Sequence, residues 1–155
     1  MNGQILFITD GSPAAIAAGE NALALAKSQN LVIKAVFIID EGWHHLLGDE
    51  WLNTSATRMS FLNWFNSRLN ETAREVLAKF CKQAETYKIT AELEIKVGKT
   101  EKVITKLASQ PETALLVLPN PYSTAPAAEG GLKFNLNAIT KKVNCPILIG
   151  PMKKA

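Results

Sequence analysis

Residues 5–13, Ile-Leu-Phe-Ile-Thr-Asp-Gly-Ser-Pro, decide the fold that we predict for this chain. Four consecutive apolar residues indicate a strand buried on both faces, as in a parallel sheet with helices above and below it. Ser12 and Pro13 are typical of a helix N-cap and first helical residue, and the alanine-rich segment 14–27 is the predicted helix. Asp10 and Gly11 are therefore expected at the carboxyl end of a strand beside a helix N-terminus, where open α/β sheets bind ligands.

The rest of the sequence alternates predicted strands with predicted helices. Strands are expected at 31–39, 90–97, 114–118 and 147–149, and helices at about 60–87, from 100 onward and at about 132–143. Segment 90–97 alternates apolar and polar residues, which predicts one solvated face and favours a place at the sheet edge. Thr100 is expected to cap the helix that follows it. The order predicts an α/β, doubly wound, five-stranded parallel sheet with helices on both faces, as one domain over residues 1–155.

Composition argues against several classes of function. The formal net charge is only +3 and arginine occurs three times, so we expect no nucleic-acid partner. We find no apolar run long enough to span a bilayer and no basic-then-apolar leader, which predicts a cytoplasmic protein with no membrane partner. Cys81 and Cys145 lie far apart and are predicted to be buried free thiols, with no metal or redox spacing.

Four segments carry a resemblance to the universal stress protein family over nearly the full chain. They are ILFITDGSPAAIAAGENALALAK at 5–27, VFIID at 36–40, VGKTEKVITKLASQPETALLVLP at 97–119 and TKKVNCPILIG at 140–150. The resemblance implies a Rossmann-like, adenine nucleotide alpha hydrolase-like sheet with strand order 3-2-1-4-5. It also implies a homodimer formed by the last strand, Ile147, Leu148 and Ile149, which would lie uncharged at the sheet edge and free to pair with its copy.

Many members of that family bind ATP, and the resemblance places part of their site in this chain. Asp10 matches the acidic residue that contacts the nucleotide, within the turn that also holds Gly11 and Ser12. Ile38 matches the position whose backbone contacts the adenine. The family's phosphate loop reads G-x-x-G, nine residues, then G-S or G-T, but this chain has Pro-Asn-Pro-Tyr-Ser at 119–123 and Lys133-Phe134 at the final pair. The glycine motif is absent.

That difference bears on phosphate binding, because a phosphate loop needs free N–H groups and glycines that let the backbone approach the anion. Pro119, Pro121 and Pro126 each remove one donor. Gly130 and Gly131 offer a loop in another register, in which Lys133 would supply the positive charge. Asp10 itself has two open interpretations, as a nucleotide ligand or as an acid favoured by the adjacent helix N-terminus.

We therefore predict a non-enzymatic stress-response protein, without a cofactor, that binds nucleotide weakly or not at all. The first alternative is an ATP- or AMP-binding sensor, with magnesium and possible slow hydrolysis, that uses the tentative site Asp10, Gly11, Ser12, Ile38, Gly130, Gly131 and Lys133. The second alternative is a scaffold that binds a protein partner through the tryptophan-rich segment from Trp43 to Trp64. No catalytic residue is predicted, since Gly11-Ser12 lacks the flanking pattern of a nucleophile elbow.

The pair His44-His45, with Asp49 and Glu50 close behind, raises the question of a metal site. Adjacent histidines point in different directions, and the sequence offers no third distant nitrogen or thiolate ligand. We therefore predict that the chain has no metal site. Packing is the favoured role for the three tryptophans at 43, 51 and 64.

Overall fold

The computed structural model describes residues 3–40, 55–121, 132 and 134–152, apart from the side chains of residues 40, 55–66 and 69. The strands are β1 (Gln4–Thr9), β2 (Val32–Asp40), β3 (Ala91–Gly98), β4 (Thr113–Leu118) and β5 (Ile147–Ile149). The helices are α1 (Pro13–Gln29), α2 (Ser55–Thr86), α3 (Thr100–Ala108) and α4 (Leu136–Thr140). The strands form one parallel sheet in the order β3-β2-β1-β4-β5. This confirms the predicted fold class and strand order.

Strand β1 is the centre of the sheet because its apolar run supplies both faces. All six of its residues are buried, and it pairs in parallel with β2 on one side and β4 on the other. Ile5 and Phe7 point to one side of the sheet, and Leu6 and Ile8 point to the other. Successive strand residues alternate in this way, so a continuous apolar strand needs a cover on each face.

Helices α1 and α2 cover the side of the sheet that Ile5 and Phe7 reach, which we call the α1/α2 face. Ala73, Leu77, Phe80 and Ala84 are buried on α2 at the spacing of one helix face. The rings of Phe7 and Phe80 lie 5.0 Å apart between their centroids. At 32 residues, α2 is about 48 Å long, so only part of it lies against the short strands.

The opposite side, the α3/α4 face, is covered by the two shorter helices. Ile104 and Leu107 of α3 and Ile139 of α4 are buried there with Leu116 and Leu118 of β4. Helix α3 has a strongly one-sided apolar pattern, which explains why nine residues suffice to cover this part of the sheet.

Two predictions about helix starts were wrong. The last helix was expected at about 132–143, but α4 spans only Leu136–Thr140 because Asn135 acts as its N-cap and accepts from the backbone N–H groups of the first turn. Thr100 was expected to cap α3, but it is the first helical residue and is buried, while Lys99 occupies the N-cap position without a side-chain cap bond. The predicted Ser12 cap and Pro13 start of α1 are confirmed.

Strand β3 lies at the sheet edge, as its alternating pattern predicted. Glu94 forms ion pairs with Lys34 of β2, at 3.0 Å, and with Lys96, at 2.9 Å. Burial works to raise the pKa of the Glu94 carboxyl, but hydrogen bonds from Lys96 and Lys34 together with their positive charges outweigh it, so the pKa lies below its ordinary value. The charged residues therefore stabilise the edge strand when Glu94 is ionised.

Replacing Glu94 by Gln is expected to destabilise the protein near neutral pH. A carboxylate whose folded pKa is lowered stabilises the fold above its unfolded pKa, and that contribution disappears as the pH falls through the folded value. The difference in unfolding free energy from wild type should be at most about 1 kcal/mol, because the pair is partly solvated. Urea unfolding at several pH values should show the difference shrink below pH 4.5, the ordinary value. A difference that stays constant down to low pH would contradict the assignment.

The described helices also bear on membrane insertion. Among the residues that the structure describes, no helix combines the length and the apolar character needed to cross a bilayer.

Candidate functional site

The turn between β1 and α1 is held by bonds among its own residues. Gly11 donates its backbone N–H to Thr9 Oγ1 at 3.1 Å, and Ser12 donates its N–H to Asp10 Oδ1 at 2.9 Å. Ala15 donates its N–H to Ser12 Oγ at 3.2 Å, which is the helix cap. Free N–H groups at a helix N-terminus are what makes such a turn attractive to phosphate. Here side chains of the turn already accept the N–H groups of Ser12 and Ala15 at the helix N-terminus and that of Gly11 just before it.

Pro13 removes a further donor, since proline has no backbone N–H. It occupies the first position of α1, where its fixed φ suits the helix. The same residue that makes a good helix start therefore reduces the capacity of this N-terminus to bind an anion.

Asp10 also connects the turn to a distant part of the chain. Its second carboxylate oxygen, Oδ2, accepts the backbone N–H of Leu132 at 3.2 Å. Both oxygens of this half-buried carboxylate thus accept from backbone N–H groups, one within the turn and one 122 residues away. The bond brings the segment before α4 to the carboxyl end of β1.

Glu101 makes a similar contact with Asn135, three residues after Leu132. Its Oε1 accepts the backbone N–H of Asn135 at 2.8 Å, while the Asn135 side chain accepts from Asn137 and Ala138. The approach to α4 is therefore held by two carboxylates, Asp10 and Glu101. Each carboxylate accepts from a backbone N–H, which is therefore not free to donate to another acceptor.

Glu101 and Asn135 are residues that the sequence analysis missed as parts of this region. Asn135 carried a usable signal, since asparagine before an apolar helical segment is a preferred N-cap. Glu101 was visible as an acid in the first turn of α3, but its bond to residue 135 depends on tertiary contact. No local pattern in the sequence points to it.

Ile38 lies in the part of the sheet where the resemblance placed an adenine contact. The register pairs Thr9 with Phe37, so Ile38 is level with Asp10 at the carboxyl ends of β1 and β2. Its side chain is fully buried on the α3/α4 face. The structure thus brings Asp10, Ile38 and Leu132 together at the carboxyl ends of the central strands.

The start of the loop after β4 is also tied down. Pro119 is buried, and the Asn120 side-chain amide donates to the carbonyl oxygen of Gly150 at 3.2 Å. The backbone N–H of Gly150 in turn donates to the Leu118 carbonyl at 2.9 Å. This is where the family's first glycine pair would lie. In this chain Pro119 is buried here, and the Asn120 bond connects the end of β4 to the end of β5.

Several predicted residues lie outside the described part of the chain. They are Gly130, Gly131 and Lys133 of the tentative nucleotide site, the tryptophans and histidines at 43, 44, 45 and 51, and the acids at 49 and 50. Trp64 belongs to α2, but its side chain is likewise outside the description. The hypotheses that depend on these residues stay predictions.

Metal-ligating residues do not cluster within the described ranges. Among these residues, no group of three or more histidine, cysteine, aspartate or glutamate side chains could hold a metal ion. The two cysteines are free and are half-buried, rather than fully buried as predicted. Burial is the main cause that raises the pKa of the Cys145 thiol, so this residue favours the unreactive protonated form.

The fold is that of universal stress proteins, as comparison with solved structures shows. The universal stress protein UspA from Lactobacillus plantarum is similar at a TM-score of 0.74 and 20% identity, covering 96% of this chain and 97% of that one. A family protein from Arabidopsis thaliana, solved with AMP bound, has a TM-score of 0.65 at 13% identity, covering 97% and 92%.

A third similar structure is the universal stress protein from Archaeoglobus fulgidus in complex with dAMP. Its TM-score is 0.60 at 12% identity, with 97% of this chain and 98% of that chain covered. No protein-family model matches the sequence, and no curated protein matches it. At these identities the likeness establishes the fold, and function has to be argued from the site.

Gly11 is expected to be essential for the geometry of the turn. Its φ is +78°, and a Cβ built on it would lie 2.5 Å from Val76 Cγ2 of α2. Gly11→Ala should therefore add left-handed strain of about 1–2 kcal/mol to a steric clash. We expect a loss of at least 2 kcal/mol, or a fall in Tm of roughly 4–8 °C.

A double variant separates the two costs. In a Val76→Ala background the clash is relieved and the strain at φ remains, so Gly11→Ala should cost less there than in wild type. Thermal unfolding of the four proteins measures the difference. Equal costs in both backgrounds would show that α2 does not press against the turn.

Proposed function

We propose that this chain is a universal stress protein family member that acts in the stress response by binding rather than by catalysis. We further propose that it binds nucleotide weakly or not at all and functions in the cytoplasm. The fold shared with universal stress proteins supports the family. The observation that carries the nucleotide argument is the use of Asp10 and Glu101 as acceptors for the backbone N–H groups of residues 132 and 135.

The physical reason is a matter of donors and charge. A triphosphate needs several unpaired N–H groups and a positive or neutral surrounding. In this chain the turn before α1 bonds its own donors, prolines occupy the start of the loop after β4, and two carboxylates hold the segment before α4. A phosphate placed there would displace these bonds and meet like charges at short range, which costs free energy.

The second candidate function is an adenine nucleotide sensor. Similar structures solved with AMP and with dAMP favour it, as does the position of Asp10 and Ile38 at one edge of the sheet. In that case Asp10, Gly11 and Ser12 would hold the nucleotide, Ile38 would border the base, and Gly130, Gly131 and Lys133 would meet the phosphates, with magnesium as the counter-ion.

Thermal unfolding with and without millimolar MgATP or AMP separates the two candidates. We expect no change in the midpoint. A ligand at one hundred times its Kd would add about 2.7 kcal/mol to stability. For a chain of this size that is a rise of roughly 5–11 °C. A rise in wild type that Asp10→Asn abolishes would establish the sensor and contradict our proposal.

A variant without the two carboxylate charges tests whether these charges are the cause of weak nucleotide binding. Asp10→Asn combined with Glu101→Gln retains an acceptor oxygen at each position and removes two negative charges. If these charges repel phosphate, the variant should gain a shift with MgATP that wild type lacks. Each variant is compared with itself without nucleotide, so any change in basal stability cancels.

We also propose a homodimer formed through β5. Ile147, Leu148 and Ile149 are all half-buried within one chain, and β5 is an edge strand without a charge of its own. An apolar edge with unpaired backbone groups can pair with another strand, and pairing with a second copy would cover the remaining apolar area.

Leu148→Lys is expected to convert the dimer to monomers, because two lysines would meet at the centre of the paired strands. Sedimentation velocity measures the oligomeric state, and circular dichroism verifies that the variant is folded. Val32→Lys, at a residue that is 41% exposed on the start of β2, is the matched control and should remain dimeric. A folded Leu148→Lys dimer would place the interface elsewhere.

A further inference from the structure

A cavity of about 390 Å³ lies between α1 and α2, on the α1/α2 face of the sheet. Its walls are mainly apolar, and it opens to solvent where Ile16 of α1 is 50% exposed. The residues that matter for the argument are Phe7, Ile16, Val76 and Phe80 in the walls and Lys79 and Lys82 at the mouth. The volume falls in the range of small-molecule sites in proteins.

The charged residues of the cavity are all of one sign. Lys79 and Lys82 are three residues apart on α2 and so lie on one side of the helix, and both are exposed. The Gln83 amide adds a neutral polar group beside them. Among the described residues that line the cavity, none is acidic. A ligand with one anionic end and an apolar body matches this arrangement.

We propose that this cavity binds small amphipathic carboxylates, with the apolar chain along Ile16 and Val76, above the packed rings of Phe7 and Phe80, and the carboxylate at Lys79 and Lys82. A ligand chain that covers the apolar walls removes apolar surface from water, which favours binding. Ammonium groups bind carboxylates through charge-assisted hydrogen bonds, while the exposed position keeps the cost of desolvation small. The long lysine side chains can reach the mouth while their charges stay in water.

The cavity and the Ile38 part of the candidate nucleotide site lie on opposite faces of the sheet. Phe7 points to the α1/α2 face, whereas Ile38 is buried on the α3/α4 face. Both regions adjoin the β1–α1 turn, and Gly11 lines the cavity from that turn. Because Gly11 borders both regions, the carboxylate experiments are carried out without nucleotide.

Fluorescence of 1-anilinonaphthalene-8-sulfonate, an apolar anion, provides the test. We expect the probe to brighten on binding the folded protein and to be displaced by decanoate at lower concentration than by decanol, which lacks the charge. Lys79→Glu combined with Lys82→Glu should weaken decanoate about tenfold or more, since each exposed pair contributes about threefold. Decanol should be little affected by that change.

Two further variants make the result specific to the cavity. Lys102→Glu with Lys106→Glu makes the same change in net charge on exposed residues of α3, and decanoate affinity should stay within about twofold of wild type. Ile16→Trp fills the mouth from a half-exposed position and should reduce binding of both decanoate and decanol. Decanoate that fails to displace the probe, or an equal loss in both charge-reversed pairs, would overturn the proposal.

Discussion

The Asp10 carboxylate is the contact that joins two distant parts of the chain at the carboxyl ends of the strands. One oxygen fixes the turn that directs the chain from the central strand into α1, and the other holds the segment before α4. One side chain thus connects the β1–α1 turn to the segment before the last helix. Hydrogen bonds to a charged acceptor are stronger than those between neutral groups, which suits a residue with two structural partners.

The two faces of the sheet are covered by helices of different length and composition. On the α1/α2 face, the long helix α2 packs beside α1, whose buried residues are small and mostly alanine. The cavity lies between these two helices. The α3/α4 face uses two short helices whose ends are positioned by carboxylates. The cavity on the α1/α2 face is lined mainly by apolar residues with two lysines, while carboxylates accept the backbone N–H groups of the segment before α4.

Much of the fold could be predicted because its signals are local. The apolar run of β1, the Ser12-Pro13 start of α1 and the edge position of β3 were predicted from neighbours in the sequence, and the structure confirms them. The expected alternation of burial along β3 was wrong, since Leu93 and Val97 are exposed while Glu94 is half-buried. The strand order came from the family resemblance. The start of α4 was misplaced because the sequence pattern was extended back to residue 132, whereas Asn135 caps the helix. The bonds of Asp10 to Leu132 and of Glu101 to Asn135 span 122 and 34 residues, and no local pattern encodes them.

The two edges of the sheet differ in character, and this difference limits how sheets of this protein can join. At β3 the ion pairs of Glu94 with Lys34 and Lys96 place charges along the outer strand, which disfavours addition of another chain. The opposite edge, β5, has three apolar residues and no charged residue of its own. A pair joined through its two β5 strands would carry β3 at both outer borders, where the ion pairs of Glu94 lie beside the exposed apolar side chains of Leu93 and Val97.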